Sequence, residues 1–380
     1  MNWRDIAKRE VKQMFVQDPK RVMYLFGACA VYILLFGLLY SSHVITAIPV
    51  VVQDEDQTYI SRSLSQAFED SERYQVIAHV ATSEESQPFL RNKKAQAVIT
   101  IPAAFSRDIK TGHSASVLIQ ANGANVAIAN TALTTAQEIV QRFSNEMGAS
   151  LITAAGQMPE QALHKVAPVG FQLRILHNST LSYLNFFVLG LAMAALQQGI
   201  LLAVGAGMIN EYQNMEKLGH VHPLQVIIGK LLPYWICGTL SFVMALGISS
   251  AAFHIPFKGD WSSLLAIGIA FSFAITAFGS VIAGLCKNEV NYTQFTLIYA
   301  VPAFVFSGYT WPQHSMNAFS LLFSHTFPLS YFADTIRALM VSGHAPALLK
   351  NILMLLGMGT ILLTTSLFLY SRKRKHLPAP

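Results

Sequence analysis

Residues 183–208 read YLNFFVLGLAMAALQQGILLAVGAGM, 26 consecutive positions without a charged side chain. As one helix rising about 1.5 Å per residue, the run exceeds a hydrocarbon core of ~30 Å. Five further uncharged stretches share its character: 22–40 before it, and 231–253, 264–286, 292–307 and 352–370 after it. The stretch 292–307 is short for a crossing and is expected to run on toward Trp311. Roughly 140 mostly polar residues separate the first stretch from the second. The spacing predicts a polytopic α-helical membrane protein of six spans, with one sizeable domain (41–178) outside the bilayer and five spans within 179–371.

Gln197-Gln198 lies near the middle of the quoted run. Two amides at bilayer depth are costly unless they find partners or water. Each therefore faces a translocation path or subunit interface, or bonds a neighbouring helix. Adjacent helical residues point about 100° apart, so the two can differ in role.

Composition agrees. Hydrophobic residues make up 53% and charged residues 12%, against ~25% charged in a typical soluble domain. The formal charge of +6 would suit a nucleic-acid binder, but its placement does not. Arg4, Lys8, Arg9, Lys12, Lys20 and Arg21 precede the first stretch, and Arg372–Lys375 open the tail 372–380. Lys and Arg beside spans mark the cytoplasmic side. Six crossings return the chain to its starting side, so both termini are expected in the cytoplasm. The short outer loops hold only Lys258, Arg337 and Lys350. No nucleic-acid partner is expected.

The first stretch is too long for a secretory signal, whose apolar core is about 7–15 residues, and the only cleavage candidate ends at Ala47. An uncleaved anchor fits better. In the leader 1–21, Trp3, Ile6, Ala7, Val11, Met14 and Phe15 recur at helical spacing with cations opposite. This is the pattern of a helix in the membrane interface; the plainer alternative is a helix packed on protein. Cys29, Cys237 and Cys286 all lie in or beside apolar stretches, so the outer domain has no disulfide and must hold itself by packing.

In that domain, 48–52, 74–81, 95–101 and 116–120 read as strands, and 58–68, 83–91 and 126–147 as helices. The alternation predicts an α/β domain with a mixed sheet. Ten Lys/Arg against twelve Asp/Glu over 41–175 leave no dense charged face.

No GxxxxGK[ST], HExxH or GxSxG occurs, so the chain carries no nucleotide-binding loop of its own. His220 and His222 lack the Cys or acids that would complete a metal site, and read as solvated. Asn178-Ser179-Thr180 fits a glycosylation sequon. Within the stretch 264–286, Ala266, Ala270 and Ala274 stand four apart, as do Gly279/Ala283 and Ser280/Gly284; such spacing lets helices approach closely in lipid.

Two connecting segments are distinctive. One reads NEYQNMEKLGHVHPL over 210–224, within a loop bounded at 209–225, followed by GKLLPY over 229–234. The other, 309–343, is apolar yet broken by Pro312 and Pro328. Two short helices that enter the outer leaflet without crossing would fit it.

At these residues the chain resembles the membrane subunit of ABC-2 type exporters, in the branch with a large extracytoplasmic domain after the first span. The resemblance rests on Ser307, Gly308, Pro312 and Met316, on Pro328, Leu329, Tyr331, Phe332 and Arg337, on GKLLPY, and on Asp54 and Asp56. Glu211, Glu216 and Leu218 match the family's cytoplasmic loop, whereas Asn214-Met215 replaces its Gly-Thr, as a non-identical partner permease would allow. The resemblance implies a non-catalytic permease in a bacterial inner membrane. It binds no cofactor directly; ATP and Mg belong to a separate ABC ATPase subunit. It implies pairing with a second copy or a paralogous permease, contact with membrane lipid, and a possible periplasmic adaptor.

On this reading Glu211 and Glu216 are exposed acids flanking Met215 and Leu218 on a short helix that couples to the ATPase. Gln197 and Gln198 line the path, and 309–343 closes it from outside. Amides without intramembrane charge favour an amphiphilic or apolar cargo such as a drug, lipid or lipopeptide. The rival reading is a membrane-anchored scaffold or receptor whose outer domain binds a partner without transport. An ABC ATPase gene beside this one would favour export.

Overall fold

The computed structural model describes residues 2–41, 45–111, 113–154, 184–218 and 221–375. Asn178 to Thr180, Tyr183, His220 and the tail beyond Lys375 lie outside the described residues. The chain divides into two compact units, Val44–Arg174 and the remainder. In the remainder, the first helices are α1 (Trp3–Lys12) and α2 (Lys20–Leu39).

The inserted unit contains β1 (Ile48–Asp54), α3 (Tyr59–Glu69), β2 (Tyr74–Val80), α4 (Ser83–Arg91), β3 (Ala97–Ile101), α5 (Phe105–Lys110), β4 (Leu118–Ala121) and α6 (Val126–Ala154). The sheet order is β2-β1-β3-β4. β1 pairs in parallel with β2 and β3, and β4 pairs antiparallel to β3. The mixed sheet expected from the alternation is present. The two faces of β1 differ, as a strand's period of two requires. Ile48, Val50 and Val52 pack with Leu64 and Phe68 of α3 and Ala132 and Ala136 of α6, while Val51 joins Val98, Phe89 and Leu90 on the side of α4. Helix α5 was not expected; six residues are too few to show a period.

Asp54 and Asp56 fasten the turn after β1. Asp54 Oδ1 accepts the amides of Asp56 (3.1 Å) and Gln57 (3.0 Å), and its Oδ2 accepts the Ser61 hydroxyl (2.8 Å). Asp56 Oδ2 accepts the Thr58 hydroxyl at 2.7 Å and the Ser106 amide at 3.2 Å. Burial pushes the Asp56 carboxyl up, but these bonds outweigh it and hold it below the usual carboxylate range.

The remaining unit is a helical bundle. Among the described residues five helices are long and apolar enough to cross a bilayer: α2, α7 (Leu184–Gln213), α8 (Pro223–Phe253), α9 (Trp261–Leu285) and α13 (Leu348–Lys375). Between α9 and α13 lie α10 (Glu289–Val305), α11 (Ala318–Ser324) and α12 (Pro328–Ser342). The expected continuation of 292–307 toward Trp311 does not occur. α10 ends at Val305, and Gly308 takes φ +84, a left-handed conformation open to glycine at little cost. At 17 residues α10 is about 26 Å long, so it falls short of the other five.

Helix α7 occupies the centre. A Cβ on Gly199 would collide with the Tyr24 carbonyl of α2, and one on Gly207 with the Tyr234 hydroxyl of α8. Along α2 every fourth residue is buried (Arg21, Leu25, Cys29, Ile33 and Gly37), one ridge set against α7 and α8. The small residues of α9 serve packing within the bundle: Ala270, Ala274, Gly279 and Ala283 are buried, and the Ser280 hydroxyl meets that of Ser366 on α13. Ala266 is exposed. The leader departs from a purely interfacial helix. Ile6, Glu10 and Met14 are buried, with Ile6 against Gly229 of α8, while Trp3, Val11 and Phe15 remain exposed.

Candidate functional site

The apolar face of α1 is interrupted by Glu10, one turn from Ile6 and one from Met14. A carboxylate at a buried position needs opposite charge and hydrogen bonds; α2 and α8 supply them to Glu10, and the ends of α7 and α13 complete the cluster. Arg21 at the start of α2 approaches Glu10 at 2.9 Å and also meets Asp18 at 3.0 Å. Lys230 of α8 bridges Glu10 at 2.7 Å and Glu211 at the end of α7 at 3.2 Å. Tyr234 donates to Glu10 at 2.6 Å and accepts from Arg21 at 3.0 Å; Tyr370 of α13 donates to Glu211 at 3.1 Å. Glu10, Arg21, Glu211 and Lys230 are 1%, 2%, 5% and 6% exposed. Two buried acids face two buried bases, so the cluster is charge-balanced.

The cluster corrects the expected role of Glu211 as an exposed acid. Helices α7 and α8 run past the ends of their uncharged stretches, and their terminal charges turn inward because Lys230 and Tyr370 await Glu211 there. Met215 and Leu218 are also buried, on a short 3-10 helix, Met215–Leu218. Of the four loop residues expected to couple, Glu216 alone is exposed. His222 caps α8, its Nδ1 accepting the Leu224 amide at 3.3 Å.

Gln197 is fully buried, and among the described residues neither atom of its amide has a partner. Gln198 donates to the Thr296 hydroxyl of α10 at 3.4 Å, while its oxygen has no partner among them. The buried hydroxyls of Ser272 and Thr276 on α9 are also without a partner among the described residues.

At the bundle's other end, α11 and α12 span seven and 15 residues, about 10 and 22 Å. Each is shorter than a ~30 Å hydrocarbon core. Pro328 opens α12 at its first turn, where its missing N–H costs nothing. Phe332 of α12 stacks on Phe271 of α9 with centroids 3.9 Å apart, so α12 is inserted among the long helices. Ser307 is buried and its hydroxyl accepts the Tyr309 amide at 3.2 Å. Tyr331 is buried, and Met316 follows the 3-10 turn Gln313–Ser315. Arg337 pairs with Asp334 and lies over the rings of Tyr309 (4.7 Å) and Phe186 (5.1 Å).

Sequence reasoning gave no role to Glu10, Arg21, Lys230 or Tyr234. The signal for Glu10 was its place on the apolar stripe; Lys230 and Tyr234 stood in the GKLLPY stretch that carried the resemblance, but nothing local connected them or Arg21 to Glu10 and Glu211.

The ABC-2 family transporter protein profile matches residues 20–368. The chain is 24% identical over 333 residues to the "Probable multidrug ABC transporter permease YbhR" of Escherichia coli (strain K12), covering 86% of each protein. It is 27% identical over 135 residues to the "Probable multidrug ABC transporter permease YbhS" of the same strain, over 35% of this chain and 36% of that one. With that profile covering most of its length and five helices long and apolar enough to cross a bilayer, the chain is a multi-pass membrane protein and belongs to the ABC-2 transporter family.

Proposed function

We propose that the chain is the non-catalytic permease subunit of an ATP-driven exporter in a bacterial inner membrane. A separate ABC ATPase binds ATP and Mg and docks at the basic end, which is cytoplasmic. The observation that carries this reading is the buried ion cluster. It ties the 210–218 segment to the leader, α2, α8 and α13, so a push on that segment reaches most of the bundle. A scaffold would need no such linkage. α10 serves as a sixth, short crossing, which puts both basic ends on one side.

The cargo is an amphiphilic or apolar molecule. The multidrug names of both relatives support this, as does a mid-bundle whose polar groups, Gln197 and Gln198 among them, are uncharged. The two differently named relatives also support pairing with a paralogous permease, while a second copy of this chain remains the simpler assembly. The inserted unit faces the periplasm and is available to an adaptor.

Inverted membrane vesicles containing the chain and its ATPase test this. ATP-dependent accumulation of fluorescent amphiphiles such as ethidium and N-phenylnaphthylamine is expected. It should vanish when the ATPase is made hydrolysis-defective. Accumulation that is equal with and without ATP across such a panel contradicts the reading.

A further inference from the structure

In the inserted unit, α6 borders a cleft of about 340 Å³ whose other wall is the end of α3 and the turn into β2. That volume is in the range of small-molecule sites. Two rows of α6 face the cleft, each at the four-residue spacing of one helix face. Thr135, Ile139 and Phe143 form the inner, less exposed row, and Glu138, Arg142 and Glu146 form the rim. The α6 wall is held in place from behind. The Phe143 ring lies against that of Phe105, centroids 6.4 Å apart, and the Tyr74 hydroxyl of β2 donates to the Ala132 carbonyl of α6.

Thr135 is 8% exposed, and its hydroxyl has no hydrogen-bond partner among the described residues. A helical threonine can bond the carbonyl four residues back, as Thr134 does to Asn130 at 2.9 Å. Thr135 does not make that bond and lines the cleft instead. Arg73, half-buried in the turn before β2, lies on the other wall, its guanidinium unpaired among the described residues. The Ser71 oxygen accepts the Arg73 amide at 3.4 Å, which keeps the Ser71 O–H as a donor. At the mouth, Glu138, Arg142 and Glu146 are exposed and make no ion pair among the described residues. Asp70, also exposed there, accepts the Gln66 side-chain amide at 2.9 Å. The cleft therefore presents hydrogen-bond donors within and a rim with more acids than bases.

We infer that this cleft binds a zwitterionic amphiphile that carries a phosphate and an ammonium group. The phosphate sits on Arg73 and the hydroxyls of Thr135 and Ser71, a donor set that suits its several oxygens. The ammonium reaches Glu138 and Glu146 at the rim, and the apolar part lies along Ile139 and Phe143. A simple anion would have to pass the acidic rim, and a simple cation would face Arg73 inside. A ligand of both signs meets its complement at both depths. The site lies within the inserted unit alone, so it stands whether or not the bundle is a permease.

The test uses lysophosphatidylethanolamine with a diazirine in its tetradecanoyl chain, photolysed with the purified full-length chain in dodecyl maltoside. Mass spectrometry then locates the label. Label is expected on the 135–146 stretch of α6, and unlabelled lysophosphatidylethanolamine should displace it. Arg73→Gln and the double variant Glu138→Gln/Glu146→Gln should each lower that label at least about tenfold, the effect of losing one charged hydrogen bond. Label elsewhere on the chain is the internal reference, and thermal melting checks that each variant folds. Label absent from the cleft, or unchanged in the folded variants, overturns the inference. So does displacement by lysophosphatidylglycerol or tetradecylamine as strong as that by the zwitterion, because the site would then read a single charge. Equal displacement by phosphoethanolamine, which has no chain, overturns the assignment to an amphiphile.

Discussion

At the scale of single residues, Lys230 is the cation that the two halves of the buried cluster share. Among the described residues, Glu10 keeps Arg21 and Tyr234 if Lys230 is lost, whereas Glu211 keeps only the Tyr370 hydroxyl. Lys230→Met should therefore destabilise by about 3–5 kcal/mol, the cost of leaving one buried charge uncompensated. Adding Glu211→Gln should recover much of that loss, as thermal melting in detergent would measure. Gln197 and Gln198 separate in the same way. An unpartnered buried amide costs about 1–3 kcal/mol, so Gln197→Leu should hold or raise the melting temperature. Gln198→Leu, which removes the bond to Thr296, should not raise it. If the amides line the path, at least one replacement lowers transport at normal expression; two wild-type rates would assign both to packing. These positions were legible as polar residues in an apolar run. The partner of Glu211 was not, because Tyr370 lies 159 positions away and no local period connects them.

Among the elements, the long helices and the alternating strands were readable because each shows many turns of one period. Ser83–Arg91 matches its expected bounds, and β1, α3 and β2 differ from theirs by a residue or two at an end. The helix ends of the bundle were not readable. Sequence reasoning stops a span at its first charge, whereas α7 and α8 continue through Glu211 and Lys230 because those charges neutralise each other. The turn after β1 gives a pH test. With the Asp56 carboxyl held low in the fold, its stabilising effect is complete above its unfolded value near ~3.9 and is lost as pH falls through the folded value. The stability gap between wild type and Asp56→Asn, measured by thermal unfolding from pH 7 to pH 3, should shrink toward the acid end. A gap that widens there contradicts the assignment. Helices α11 and α12 make a second test. Cysteines at Gln313 and His344 should both react with an impermeant thiol reagent from the periplasmic side. His344 is preferable to Gly343, which sits at φ +80 with a Cβ position only 3.0 Å from the Lys258 carbonyl. Labelling of either from the cytoplasm would remove the re-entrant pair and the six-span topology together.

For the whole molecule, two separately cored units follow from the lopsided placement of apolar sequence, and membership of the ABC-2 family follows from a match across nearly the full chain. Power is the remaining element of the account. On the proposed reading the chain is driven by a separate ATPase, and the buried ion cluster links the 210–218 segment to four others: the leader, α2, α8 and α13. The most direct measurement is affinity purification of the full-length chain from native membranes, with chemical crosslinking and mass spectrometry of what accompanies it. The account predicts an ATP-binding-cassette subunit in stoichiometric yield, crosslinked to the 210–224 segment or to the leader. Recovery of the chain with no such subunit, or with crosslinks only to partners of the inserted unit, would contradict it.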